Sequence, residues 1–248
     1  MGIWISEFDT TAAYDAAKSS LTTPHLTITN DDMKVHYMPY DPYKDHDYVE
    51  IGGLKWATMN VGATGVTDYG LYFQWGDTQG YTRSQVGSGS GKKYFGWGDY
   101  KYGNGTSSPG DTGITKYNST DKKIVLEASD DAVVANWGGA WRMPTTEEFV
   151  ALGSAVNSAW TNSYQGSGVS GLVLTDKTDS SKVLFFPAAG YCNYGSVYYV
   201  GGNGYYWSSS LDSSGVLYGR NVNFSSAGVN WQNRYYRYYG FAVRGVVG

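Results

Sequence analysis

The acids best placed for acid–base chemistry are Asp77, Glu127, Glu147 and Glu148. Glycoside hydrolysis would need two such carboxylates flanking a sugar. Glu147 and Glu148 fall in Thr145-Thr-Glu-Glu148, which has the spacing of a helix capping box and gives both a role at a helix start. Asp130 and Asp131, close to Glu127, also read as a helix start, where negative charge is favoured. His25, His36 and His46 all lie early in the chain without metal-ligand spacing and read as surface residues. Cys192 is the only cysteine, so no disulfide within the chain and no cysteine-type zinc site can form. These residues argue for a protein that is not an enzyme and needs no cofactor or metal.

A different chemistry is concentrated at 190–248. Those 59 residues hold eleven Tyr, eleven Gly, eight Ser and six Asn, with no Lys, no Glu and Asp212 as the single acid. A packed core wants aliphatic residues and an ordinary surface wants Lys and Glu. Tyr among small polar residues is instead the composition of a recognition surface, rigid amphipathic rings beside adaptable hydrogen-bonding groups. The stretch is slightly basic, with four Arg, but no lysine cluster accompanies them. Together with a net charge of −4, this argues against nucleic acid as a partner.

The whole chain of 248 residues is 41% hydrophobic and 17% aromatic, enough for a folded core. It contains no apolar run of membrane-spanning length, and its first residues show neither a basic n-region nor a long apolar h-region, so neither membrane insertion nor a signal peptide is expected. Residues 1–47 read as an N-terminal attachment segment: a helix over Asp9–Ser20, then a hairpin of Leu26–Thr29 and Lys34–Tyr37, then a polar linker over Pro39–Asp47.

A second hairpin is expected from Tyr48–Ile51 and Leu54–Met59 around Gly52-Gly53. Gly80–Thr115 reads as a long irregular insertion pinned by Tyr94, Phe95, Trp97, Tyr100 and Tyr102. Helices are expected over Asp130–Trp137 and Thr145–Val156, the latter burying Phe149, Val150, Leu152 and Val156. Strands follow at Gly171–Thr175 and Val183–Phe186. Alternation in Asn221-Val222-Asn223-Phe224 and Val229-Asn230-Trp231-Gln232 points Val222, Phe224, Val229 and Trp231 inward and the polar residues outward. Tyr206 is read as core, and Arg220 and Arg244 as structural. Arg237 leans toward display, and about half of Tyr235, Tyr236, Tyr238 and Tyr239 should be exposed.

WRMPTTEEF at 141–149, FFPAAGY at 185–191, GYYWSSS at 204–210, VNW at 229–231 and GFAVR at 240–244 occur in a familiar order, with KWATMNVGAT at 55–64 and DYGLYFQWGDT at 68–78. The chain over about 48–247 resembles the C-type-lectin-like domains of the formylglycine-generating-enzyme type, and within them the major paralogous domain proteins of gut-type bacteria and their phages. Many of that group look like variable proteins of diversity-generating retroelements. There, error-prone copying at adenines turns asparagine codons into codons for Tyr, Asp, Ser, Gly, Arg or Leu, but never Lys or Glu. The resemblance implies an α/β fold, two helices with small antiparallel sheets and long irregular loops, in a domain over 48–248 with the variable region at 190–244.

Carried over by position, the ligand-binding set would be Asn193, Tyr194, Ser196, Tyr198, Tyr199, Asn203, Tyr205, Asp212, Leu217, Tyr218, Asn221, Asn223, Asn230, Gln232, Asn233, Tyr235, Tyr236, Arg237, Tyr238 and Tyr239. Two positions depart from the group: Cys192 stands where Arg is frequent, and Gly245 where Pro is frequent. The formylglycine-generating relatives use paired cysteines, which this chain lacks, and the Glu-Pro-Asn, Gln-Pro-Asp and Trp-Asn-Asp signatures of calcium-dependent lectins are absent. The expected function is therefore non-enzymatic: a hypervariable surface, of receptor-binding or adhesin type, shown to a protein or glycan on a target cell. The N-terminal segment would attach it to a phage tail or a bacterial surface assembly. A fixed-specificity carbohydrate-binding module is the alternative, and a glycan-active enzyme ranks below it.

Overall fold

The computed structural model describes residues 46–248 and three short strands before them. The chain divides into two compact units, Met1–Asp45 and His46–Gly248. In the first unit, β1 (Ile5–Glu7), β2 (Thr27–Ile28) and β3 (Val35–Tyr37) form an antiparallel sheet with β3 in the centre. The expected β2–β3 pairing is present, and β1 adds a strand that local sequence did not announce. The expected helix over Asp9–Ser20 and most of the expected linker lie outside the described residues.

The second unit is mixed α/β, two helices with several small antiparallel sheets. β4 (Tyr48–Ile51) and β5 (Leu54–Asn60) form the hairpin expected around Gly52-Gly53, where both glycines take positive φ. Residues 80–115 run irregularly, with short 3-10 turns at Arg83–Gln85, Trp97–Asp99 and Asp111–Gly113. Phe95, Trp97 and Tyr100 pin this insertion by burial, as expected, whereas Tyr94 is exposed.

Helix α1 (Ala132–Trp137) is capped by Asp131, whose Oδ1 accepts from the N–H groups of Val133 and Val134. Helix α2 (Thr146–Ala155) has the full capping box: Thr145 Oγ1 accepts from Glu148 N–H, and Glu148 Oε2 accepts from Thr145 N–H. Glu148 also holds Arg142. The helix continues directly into β6 (Val156–Thr161), which pairs with β7 (Gly171–Asp176), and β7 with β8 (Val183–Pro187).

The C-terminal stretch forms a hairpin of β9 (Tyr191–Asn193) and β10 (Ser196–Tyr198), then the sheet of β11 (Asn203–Leu211), β12 (Tyr218–Ser225) and β13 (Gly228–Tyr236). Last, β14 (Arg244–Val247) returns to pair with β5, so the unit's first and last strands share one sheet.

The motif residues hold these pieces together. Ser208 Oγ and Thr146 Oγ1 lie 3.0 Å apart, Thr146 N–H donates to Ser210 Oγ at 3.0 Å, and Ser209 N–H donates to Pro144 O at 2.8 Å. The three serines thus dock the start of α2 on β11. Arg244 is fully buried and donates to Asn60 Oδ1, Ala57 O and Phe185 O, with its guanidinium 4.5 Å from the Phe186 ring. Burial draws its pKa down to about 10. Asn60 in turn donates to the Tyr206 hydroxyl, which donates to Pro187 O at 2.8 Å. Tyr206 and Arg244 are therefore structural, as expected. Gly245 packs beneath Trp137 so closely that a Cβ there would lie 2.3 Å from the ring, which suits glycine better than the proline frequent in the resembling group. Among the described residues, no helix is long and apolar enough to cross a membrane.

Candidate recognition surface

Strand register sorts the stretch into two faces. Tyr206, Val222 and Phe224 point into the core on one side of the β11–β13 sheet, with Val229 and Trp231 half-buried beside them. Trp231 lies across Gly153 of α2, where a Cβ would sit 2.6 Å from the indole. Cross-strand pairing places Tyr205 opposite Asn223, Trp207 opposite Asn221, and Asn221 opposite Asn233, so these residues share the other face.

Rings cover that second face. Tyr191 is the hub: its centroid is 5.3 Å from Tyr198, 5.9 Å from Tyr199, 5.1 Å from Tyr205 and 5.6 Å from Tyr239. Tyr235 joins Tyr205 and Tyr239. The Tyr238–Tyr239 stack, 4.9 Å between centroids, links this cluster to a second one. There Tyr238 meets Trp97 at 4.9 Å and Tyr194 at 5.4 Å, and Tyr194 meets Tyr94 at 5.7 Å. Tyr236 stacks on Tyr218 at 4.7 Å, and the Arg234 guanidinium lies over Tyr218. Edge-to-face and offset contacts of this kind add about 0.5–1.5 kcal/mol each beyond burial, so the rings brace one another.

The face carries little charge. Burial raises the phenol pKa of Tyr191, Tyr205, Tyr238 and Tyr239, so these hydroxyls stay neutral at physiological pH. The charged residues of the stretch are paired or buried, with Arg234 exposed but paired. Asp212 pairs with Arg220 at 2.6 Å and Arg234 at 3.2 Å. Arg237 donates to Tyr100 Oη, Tyr117 O, Val216 O and Lys116 O, and lies over the Trp75 ring at 4.8 Å.

Of the positions expected at the surface, Tyr194, Ser196, Tyr198, Tyr199, Asn230 and Gln232 are exposed, and Asn193, Asn203, Leu217, Tyr218, Asn223, Asn233, Tyr235, Tyr236 and Tyr239 are half-buried. Five are inside and correct the expected display. Tyr205 is covered by Tyr191, Tyr235 and Phe241. Tyr238 is covered by Trp97, Tyr194, Tyr236 and Tyr239. Asp212 is drawn in by its two arginines and by Ser214. Asn221, in the central strand between Trp207 and Asn233, is 1% exposed, and neither amide atom finds a partner. Arg237 is 0% exposed because the carbonyls of Lys116, Tyr117 and Val216 converge on its fork. Of the four tyrosines after Arg234, three are half-buried, Tyr238 is buried, and none is fully exposed.

The surface positions do not all gather on the ring face. Gln232 lines a separate cavity of about 380 Å³ with Ile124, Val125, Glu147 and Arg220. Tyr94 joins the ring face although it lies outside the C-terminal stretch. Its aromatic density was visible in the sequence, but only as a pin for the insertion. The acids named for catalysis have separate partners: Glu127 pairs with Lys116 and Lys123, Glu148 with Arg142, and Asp77 lies 3.9 Å from Lys93. Among the described residues, no group of three metal-ligating side chains converges.

A family model described as a domain of unknown function (DUF8237) matches residues 173–246, a span running from within β7 to β14 and including the ring-bearing strands. No curated protein matches the chain, and no solved structure does.

Proposed function

We propose that this protein is a non-enzymatic binding protein of the C-type-lectin-like kind, whose ring face is a diversified recognition surface for a protein or glycan on a target cell. One observation carries the reading: a Tyr/Asn face rests on a scaffold in which the stretch's own charged residues are paired with one another or buried. The exposed side chains on that face can change without disturbing the core, since exposed substitutions usually shift stability by about 0.5 kcal/mol or less. The two helices, the pairing of β14 with β5 and the irregular segment over 80–115 support the lectin-like architecture. The pairing of Glu127 and Glu148 with basic side chains favours binding over glycan cleavage. Attachment to a phage tail or a bacterial surface assembly through Met1–Asp45 belongs to the same reading.

The test is to sequence the DNA beside the coding region. Diversification predicts a near-repeat of the codons for 190–244, with mismatches confined to template adenines, next to a reverse-transcriptase gene. Without such a repeat, the face is a fixed site and the protein a lectin-like module of constant specificity.

A further inference from the structure

Among the described residues, the two most exposed tyrosines, Tyr199 at 63% and Tyr194 at 48%, both lie on left-handed backbone, with φ of 55° and 44°. A bulky side chain is a genuine outlier there. Tyr194-Gly195 forms the two-residue turn of the β9–β10 hairpin, confirmed by the pairing of Asn193 with Ser196. The favoured residue at such a first turn position is Asn or Gly. The chain therefore holds two large rings toward solvent at positions where a smaller residue would fold more easily. Strain of this kind gathers at ligand clamps.

The hairpin tip is braced from outside the C-terminal stretch. Tyr194 N–H donates to Phe95 O at 3.2 Å, and Gly195 N–H to Tyr94 O at 2.5 Å. The Asp99 carboxylate accepts from the N–H groups of Tyr94, Phe95 and Gly96, fixing the loop that carries Tyr94. Tyr94, 41% exposed, thus stands beside Tyr194 on a rigid mount, and Tyr198, 40% exposed, stands beside Tyr191. The stretch's one acid is paired with two of its arginines, and the other two arginines are buried on carbonyls. The rings of this stretch thus offer flat apolar faces and hydroxyls, and the charged side chains of the same stretch are already paired or buried, which favours an uncharged partner.

Resting on the binding function proposed above, we propose that Tyr94, Tyr194, Tyr198 and Tyr199 form a stacking platform for the uncharged sugar rings of a cell-surface polysaccharide. Tyr94 is then a specificity residue supplied by the insertion over 80–115. Pyranose rings match this chemistry, with apolar faces for the phenols and hydroxyls for Tyr Oη and the Asn amides.

The experiment binds the full chain, fluorescently labelled, to a panel of fixed bacterial cells, then treats the positive cells with periodate, which cleaves sugar diols, or with protease. Tyr194→Gly, Tyr199→Gly and Tyr94→Ala are compared with wild type on untreated cells. The expected result is loss of binding after periodate, whether or not protease also removes it. Each variant should lose at least tenfold in apparent affinity. The two glycine variants should melt at or above the wild-type temperature, because glycine relieves the left-handed backbone. Binding that survives periodate and is lost to protease overturns the polysaccharide and leaves the display surface standing with a protein partner. Wild-type affinity in Tyr94→Ala overturns the extension to the insertion, and wild-type affinity in both glycine variants overturns the platform. If wild type binds no cell in the panel, the display reading falls, and this inference with it.

Discussion

At the scale of single residues, type alone did not decide which side chains face solvent. Arg237 and Asn221 show why. Arg237 sits among four tyrosines in a stretch rich in displayed residues, yet its partners are carbonyls at 116, 117 and 216 that only the tertiary fold brings together. Asn221 has the parity of an outward residue, but in the central strand of the sheet it is buried with both amide atoms without a partner. An unpartnered buried amide costs about 1–3 kcal/mol relative to an apolar group of the same shape. Asn221→Leu should therefore leave stability unchanged or raise it by about 1 kcal/mol. Urea unfolding of the variant checks this, and a loss of more than 1 kcal/mol would show that the amide is satisfied.

At the scale of elements, the signals legible in the sequence were local ones. The capping box at Thr145–Glu148, the hairpin at Gly52-Gly53 and the strands at β7 and β8 each follow from spacing within a few residues. Strand β6 was not legible, because Val156–Thr161 follows α2 with no Gly or Pro between them and offers no break in the helical pattern. The path of the insertion was not legible either, since the residues that anchor Tyr100 and Phe95, Arg237 and Tyr194, come later in the chain. Packing between β11 and β12 gives an element-scale prediction. Phe224 lies across Gly204, and a Cβ there would sit 2.0 Å from the ring. Gly204→Ala should cost about 1–3 kcal/mol, the usual penalty for overpacking. Chemical denaturation measures it, and an unchanged midpoint would mean that the ring is free to move.

At the scale of the whole molecule, stability against acid should centre on Asp130. Burial pushes its carboxyl up, but hydrogen bonds from Lys116, Tyr102, Tyr117 and Lys101 more than reverse this and hold it well below the usual carboxylate range. As pH falls, the unfolded chain takes up this proton first, so the contribution is full above about pH 4 and is lost progressively below it. Asp131, raised by burial, works in the opposite direction. Asp130→Asn should cost about 3 kcal/mol at pH 7 and flatten the acid limb of the stability curve between pH 4 and the acid extreme. Urea titrations across that range decide it, and an unaltered acid limb would contradict the assignment. The composition at 190–248 underlies the proposal of a recognition surface, and the structure limits the rings open to any partner to an exposed and half-buried subset. The most direct measurement is a saturation library over 190–244, displayed and sorted in parallel for protease resistance and for binding to a target cell. The account predicts two separate maps. Tyr194, Tyr198, Tyr199 and Ser196 should accept most residues for folding yet control binding, while Tyr206, Trp207, Arg237 and Arg244 should accept few for folding. If the exposed tyrosines prove as restrictive for folding as the buried ones, or if changing them leaves binding intact, the face is structural and the central claim fails.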